Sequence, residues 1–399
     1  MSNAAAAASV PETTDLGDTL FAALRRAEAL PQRLNATVAL RPYDEPGWTV
    51  VIRRGRLALE QGCDSAASTT ITGRSETLRR IAEGRLSGVN AFLDGDITVR
   101  GDLSLSLRLA GMWTADPTAV HAGDVVAEGQ RTFYVESGTG PAVVLLHGLG
   151  ATNASMLPTL RALSRSYRVV APDLPGFGDS DKPLRSLHAA FYARWLRSFC
   201  AELDLARPHL VGNSMGGRIA VEAGLRSPET VDRLVLLAPS PAFLRGREFV
   251  RLVRILRPEL ALLPLPLRAR QVIAGIRRMF SDPSRLDQAW YEAAADEFLR
   301  VFSTARGRIC FFSAMRQIYL EEPHAPPGGF WGRLPQLSRP ALFVWGDRDR
   351  LVPAKFSRHV ERALPAATSV VVPDCGHVPQ YEHPDATHQL VADFLGHAG

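Results

Sequence analysis

Cysteine is scarce in this chain. Four residues, Cys63, Cys200, Cys310 and Cys375, are spread over 399 positions with no C-x-x-C and no ligand-like spacing. That excludes a zinc module and a disulfide framework as the organising principle. No run of about 18 apolar residues occurs, so no membrane span is expected. Blocks of one charge are missing too. Net charge is +5, the isoelectric point is about 9.3, and basic residues are scattered, which favours mild attraction to anionic surfaces and argues against nucleic-acid binding. No phosphate-cradling glycine loop and no metal-ligand cluster appears, so the expected chemistry uses no cofactor and no metal. Residues 1–15 are alanine-rich and lack a basic segment followed by a long apolar one. They read as a disordered tail, not a secretion signal, and the expected compartment is the cytoplasm.

What is present centres on Leu210-Val211-Gly212-Asn213-Ser214-Met215-Gly216-Gly217. An apolar, strand-like run leads in, and residues with helical spacing lead out. G-x-S-x-G at a strand-to-helix turn holds a serine clear of a sheet. The turn needs neighbours without bulk, which Gly212 and Gly216 supply. The helix that follows turns its unpaired N–H groups toward any developing oxyanion.

Before this centre lies a separate unit over 16–114. An amphipathic helix at 20–27 precedes strands at 36–42, 47–53, 56–61 and 69–73, then a helix from Ser75 stopped by Gly84. A short helix at 89–93, a strand at 96–100 and a leucine-rich helix at 103–112 complete it. Thr70-Ile71-Thr72-Gly73, Glu83-Gly84-Arg85-Leu86-Ser87 and Asp94-Gly95-Asp96-Ile97-Thr98-Val99-Arg100-Gly101-Asp102 resemble the sterol carrier protein 2 family of lipid-binding domains. The resemblance implies a curved sheet covered by helices around an apolar tunnel. Periodicity cannot tell such a tunnel from a filled core.

Residues 115–123 read as a linker. From 124 to 399 strands and helices alternate, the signature of an α/β sheet. Only 241–337 breaks the alternation, with helical periodicity and several arginines, and is expected to form a cap over the site. Within it Arg247, Arg251 and Arg254 recur at helical spacing beside apolar residues, a face that is either solvated or rests on a lipid surface.

A serine hydroxyl needs a histidine base held by a carboxylate. Trp345-Gly346-Asp347-Arg348-Asp349 and Gly376-His377-Val378-Pro379 follow buried strands, where ligands bind in α/β sheets. Together with the serine turn these stretches resemble the α/β-hydrolase superfamily over 125–395. The resemblance implies Asp349 as acid and His377 as base; Asp347 is the rival acid, its position in the motif favouring a turn-capping carboxylate. His383 and His388 read as structural or exposed. The N–H groups of Met215 and of Leu149, in His147-Gly148-Leu149-Gly150, are the implied oxyanion donors. Asp173-Leu174-Pro175-Gly176-Phe177-Gly178-Asp179-Ser180 matches a loop bordering the site. Members with aspartate at the nucleophile position, the epoxide hydrolases and haloalkane dehalogenases, are set aside by Ser214. The expected fold class is therefore an α/β hydrolase with a helical cap, preceded by a smaller α+β domain. The expected function is hydrolysis of lipid-like or acyl carboxylic esters. Hydrolysis of a carbon–carbon bond in meta-cleavage products, of an acyl thioester, or a purely lipid-transferring role stand as alternatives.

Overall fold

The computed structural model describes residues 15–26, 30–113, 119–240, 261–262, 266–319 and 329–396. The arginine-bearing stretch 247–254 and the tail 1–14 lie outside them.

The N-terminal domain is one five-stranded sheet in the order β3-β2-β1-β4-β5. It comprises β1 (Ala36–Pro42), β2 (Trp48–Arg53), β3 (Arg56–Gln61), β4 (Thr69–Gly73) and β5 (Ile97–Gly101). All pairs are antiparallel except β1 with β4. Helices α1 (Leu16–Arg26), α2 (Ser75–Ala82), α3 (Gly88–Leu93) and α4 (Leu103–Met112) cover it. Local chemistry sets the helix starts: Ser87 and Asp102 accept the N–H groups of Asn90 and Leu105 as N-caps. The core is mostly aliphatic, with Leu20, Val38, Leu40, Val50 and Leu109 almost wholly buried. Between sheet and helices remains an apolar cavity of about 40 Å³, lined by residues that include Leu40, Ile71, Leu103, Ser106 and Trp113.

The second sheet has eight strands, ordered β13-β12-β11-β10-β8-β9-β7-β6. The hairpin β6 (His121–Ala127) and β7 (Gln130–Ser137) is antiparallel and joins β9 (Arg168–Pro172) antiparallel. The remaining strands, β8 (Ala142–Leu146), β10 (His209–Asn213), β11 (Leu234–Leu237), β12 (Ala341–Gly346) and β13 (Thr368–Val372), are parallel. Near-continuous burial of β8, β10, β11 and β12 is why these runs show no alternation in sequence, while β13, at the sheet edge, is largely open to solvent. β6 starts inside the stretch expected to be linker, because His121 to Gly123 pair in register with Glu136 to Tyr134 while Val120 is buried beside them.

Helices α5 (Leu157–Leu163), α6 (Ala189–Glu202) and α7 (Met215–Arg226) flank the early strands. The described part of the cap is helical: α8 (Ala269–Arg277), α9 (Gln288–Phe302), α10 (Ala305–Tyr319) and α11 (Phe330–Arg333). α12 (Ser357–Ala363), α13 (Pro379–Glu382) and α14 (Pro384–Gly396) close the chain. Among the described residues no helix is long and apolar enough to cross a membrane.

The two domains are packed together. Val89 and Leu107 of the first share an apolar cluster with Val120, Met156, Leu157 and Leu160 of the second. Leu157 also forms part of the wall of the N-terminal cavity. Arg108, nearly buried on α4, bridges Asp124 at 3.0 Å and Asp179 at 2.8 Å, and lies over the Phe133 ring.

Candidate active site

Four parallel strands end at one edge, and each delivers part of a single constellation. Ser214 follows β10 with φ 52° and ψ −113°, and it directly precedes α7. Such a dihedral is strained for a residue with a Cβ. The reason for the flanking glycines is visible in the packing. A Cβ on Gly216 would stand 2.0 Å from the Leu146 carbonyl oxygen, and one on Gly212 2.4 Å from the carbonyl carbon of Gly216. The serine N–H donates to Leu237 O and its carbonyl accepts from Ser240 N–H, both at 2.9 Å, so the turn is held from β11.

Asp349 and His377 arrive from the ends of β12 and β13 and are nearly buried. His377 Nδ1 lies 2.7 Å from Asp349 Oδ2. The other carboxylate oxygen accepts the N–H groups of Leu351 at 2.7 Å and Val352 at 2.9 Å. That arrangement fixes the carboxylate and leaves one oxygen for the imidazole, whose Nε2 is then the basic nitrogen. Asp347 is exposed, and its Oδ1 accepts the Cys375 N–H at 3.1 Å. It staples the histidine loop to β12 and stands apart from the imidazole pair.

After β8, the loop His147–Gly150 runs against the serine: a Cβ on Gly148 would be 3.4 Å from Ser214 Cβ. Among the described residues, no backbone hydrogen bond engages the N–H of Leu149 or Met215. His147, which the sequence offers only as the start of the oxyanion loop, is itself a structural element. It is fully buried, with Nδ1 2.8 Å from Gly148 O and Nε2 accepting the Leu174 N–H at 2.9 Å. Burial lowers its pKa to about 4, so it remains neutral and ties the loop after β8 to the loop after β9.

The loop after β9 is organised by Asp173. Its oxygens accept the N–H groups of Asn153 at 2.8 Å and Asp179 at 2.7 Å. Burial raises its carboxyl to about 7. A Cβ on Gly178 would collide with that carboxylate, so the glycine is required for the turn.

Two further residues hold the histidine loop. Asn213 Nδ2 donates to His377 O at 3.2 Å and to Leu237 O at 3.0 Å. Glu382 accepts Gly376 N–H and, from the cap, Ser281 N–H, each at 2.7 Å, while His377 N–H donates to Met279 O at 2.7 Å. Their signal in the sequence was their place in G-N-S and G-H-x-P-x-x-E. His388 stands 3.1 Å from Thr159 Oγ1, and His383 contacts Asp374 O and Arg285, both away from the imidazole pair. Above the oxyanion loop sit cap aromatics: Phe298 stacks on Phe302 at 5.1 Å and meets Phe311 edge-on at 5.9 Å.

In the N-terminal cavity the polar groups are unlike these. Ser106 Oγ and Trp113 Nε1 are buried with no hydrogen-bond partner among the described residues.

Comparison with known proteins agrees with this fold. A family model described as the alpha/beta hydrolase fold matches residues 141–384, and one for the SCP-2 sterol transfer family matches 19–113. A 2-hydroxy-6-oxononadienedioate/2-hydroxy-6-oxononatrienedioate hydrolase of Escherichia coli O81 (strain ED1a) is 32% identical over 278 residues, covering 67% of this chain and 92% of that protein. Among solved structures, a membrane phospholipase A described as a bacterial virulence factor superposes with a TM-score of 0.61 at 28% identity, covering 77% of this chain and 93% of that one. A point mutant of the meta-cleavage product hydrolase CumD gives 0.57 at 25%, covering 69% and 98%.

Proposed function

The chain belongs to the alpha/beta hydrolase fold family, and from that premise we propose that it is a serine hydrolase of carboxylic esters with lipid-like or acyl groups. The observation that carries this reading is the 2.7 Å contact of His377 Nδ1 with an Asp349 carboxylate that two backbone N–H groups already hold, beside a serine in a strained turn. His377 Nε2 takes the proton from Ser214 Oγ as the oxygen attacks the ester carbonyl. The N–H groups of Leu149 and Met215 receive the oxyanion. The tetrahedral intermediate collapses, the C–O bond to the alcohol breaks, and His377 returns the proton to the departing alkoxide. Water then attacks the acyl-enzyme by the same path, releasing the acid and free Ser214. Asp349 stabilises the imidazolium and fixes its orientation throughout.

The lipid-like substrate class is supported by the SCP-2 match and by the similarity to a phospholipase A structure. The N-terminal cavity, at about 40 Å³, has room for a few water molecules and not for an acyl chain. Holding an acyl chain there requires the cavity to widen. Purified protein is tested with p-nitrophenyl acetate, octanoate and decanoate against Ser214→Ala. Turnover is expected to vanish in the variant, and unchanged turnover would sink the proposal.

A second reading is carbon–carbon bond hydrolysis, favoured by the 32% identical relative named for that activity. Against it stands the oxyanion loop, where Gly150 is followed by Ala151-Thr152 and not by the Pro-Gly common in that group. A dienoic 2-hydroxy-6-oxo acid assayed beside the esters separates the two, and an acyl thioester in the same panel covers the third option.

A further inference from the structure

Helix α9 has three neighbours at once. Toward the N-terminal domain, Arg100 on β5 donates from Nε and Nη2 to Asp296 at 2.7 and 3.3 Å, and from Nη1 to Glu292 at 2.7 Å. The Gly101 N–H donates to Asp296 Oδ2 at 3.1 Å, and the Leu103 N–H to Glu297 Oε2 at 3.4 Å. Glu297 also holds Arg300 at 2.6 Å, whose Nε is 3.6 Å from Asp102. Toward the oxyanion loop, the Phe298 and Phe311 rings crowd Gly150 so closely that a Cβ there would sit 3.1 and 2.9 Å from them. Toward the histidine loop, the Trp290 ring lies 4.7 Å from that of Tyr381.

We infer that the N-terminal domain braces the cap, with Arg100 as the positioning residue that sets how readily α9 yields to a bulky acyl group entering over Leu149 and Gly150. The acyl-selection part rests on the ester-hydrolase reading, and the brace itself does not.

Three physical points support the brace. Arg100 is half-exposed, so a single pair would add little, but it engages two carboxylates and one of them bidentately. Glu297 is almost buried and supplies an acceptor to the first N–H of α4, a group that the helix cannot satisfy internally. A cap carboxylate thus completes the N-terminal domain's own helix. Finally, the two sides of α9 differ in kind, ionic toward the brace and aromatic toward the site. Salt or charge reversal therefore loosens the first while sparing the second.

The test uses the full-length chain. Hydrogen exchange of the amides in 288–302 is measured for wild type, Arg100→Lys, Arg100→Glu and the swap Arg100→Glu/Asp296→Arg. Arg100→Glu is expected to raise exchange roughly fivefold, the swap to restore most of the protection, and Arg100→Lys to remain near wild type. Salt at 0.5 M, about the level at which such pairs are screened, should move wild type toward the Arg100→Glu value. KM for the decanoate ester should change severalfold more than KM for the acetate, a split that simple destabilisation would not produce. Unchanged exchange in Arg100→Glu, or a swap that restores nothing, overturns the brace. An intact exchange response in a protein that turns over no ester would overturn the hydrolase reading alone.

Discussion

Buried polar groups differ between the candidate catalytic set of the hydrolase half and the N-terminal cavity, although the hydrolase half also buries polar side-chain atoms of Asn153, Ser240 and Gln380 that have no partner among the described residues. In the hydrolase half, His147, Asp173, Asp349, His377 and Glu382 are all buried, and each meets a backbone or side-chain partner within 3 Å. In the N-terminal half the core is aliphatic, and Ser106 and Trp113 keep polar atoms with no partner among the described residues. Preorganised polar groups carry the cost of burial only where charge has to be placed accurately. Unsatisfied ones in an apolar cavity are instead open positions for a visitor's polar atom. The contrast is between catalytic-set groups held in place by partners and cavity atoms left without one among the described residues.

The firmest way to break this contrast is at Asp349. Asp349→Asn keeps the shape but disturbs the imidazole's tautomer, and kcat is expected to fall about 10⁴-fold. Asp347→Asn, two residues away but outside the imidazole pair, should change kcat less than about tenfold. Steady-state kinetics of both variants on one ester checks this, and equal losses would mean that the acid has been misassigned. Next in size is the elbow. Gly216→Ala places a methyl 2.0 Å from a backbone oxygen that cannot move aside. A stability loss of about 3 kcal/mol is expected in urea unfolding, together with loss of activity.

Acid tests the buried polar set more subtly, because two neighbours titrate in opposite senses. The pKa of His147 falls from 6.5 to about 4 on folding, so its contribution is present above pH 6.5 and is lost as pH falls through 4. The pKa of Asp173 rises from 3.8 to about 7, so its contribution is present below 3.8 and is lost as pH rises through 7. Between the two low and the two high values their slopes cancel. Asp173→Asn removes one of them, so its stability should rise with pH by about 1.4 kcal/mol per unit more steeply than wild type between pH 4 and 6.5. Parallel unfolding series at about pH 4, 5 and 6.5 give the two slopes, and identical slopes would refute the opposition.

Much of the hydrolase half was legible because its signals are local. The glycines around Ser214, the apolar runs before Asn213, Gly346 and Pro373, and the aspartate–histidine order each need only a few neighbouring residues to be read. Elements of the N-terminal domain were legible for the same reason, with Gly84, at φ 73°, stopping the helix that begins at Ser75. What stayed hidden is long-range. Arg100 and Asp296 are 196 positions apart, and no periodicity links them. His147 looked like the lead-in to a glycine loop, and its bond to Leu174 depends on two loops meeting beyond separate strands. The cavity size was equally hidden, since a filled core and a tunnel require the same apolar pattern.

The cavity side of the contrast is sharpened by the smallest changes. Ser106→Ala and Trp113→Phe each remove a buried polar atom that has no partner among the described residues, so unfolding free energy should shift by less than about 1 kcal/mol. In a core whose polar atoms were satisfied, the same deletions would cost more. If the cavity takes a lipid headgroup or carbonyl, the variants should weaken a fluorescent fatty acid while leaving a plain hydrocarbon of equal length unaffected. Trp113 can only donate from Nε1, whereas Ser106 can donate or accept. Trp113→Phe should therefore weaken a carboxylate or ester carbonyl specifically, while Ser106→Ala should weaken fatty alcohols and acids alike. Titrations of the three probes against both variants read this directly. Equal effects on the hydrocarbon and the acid would mean that the two atoms are only packing defects, and that the N-terminal domain acts on the hydrolase through its grip on α9 alone.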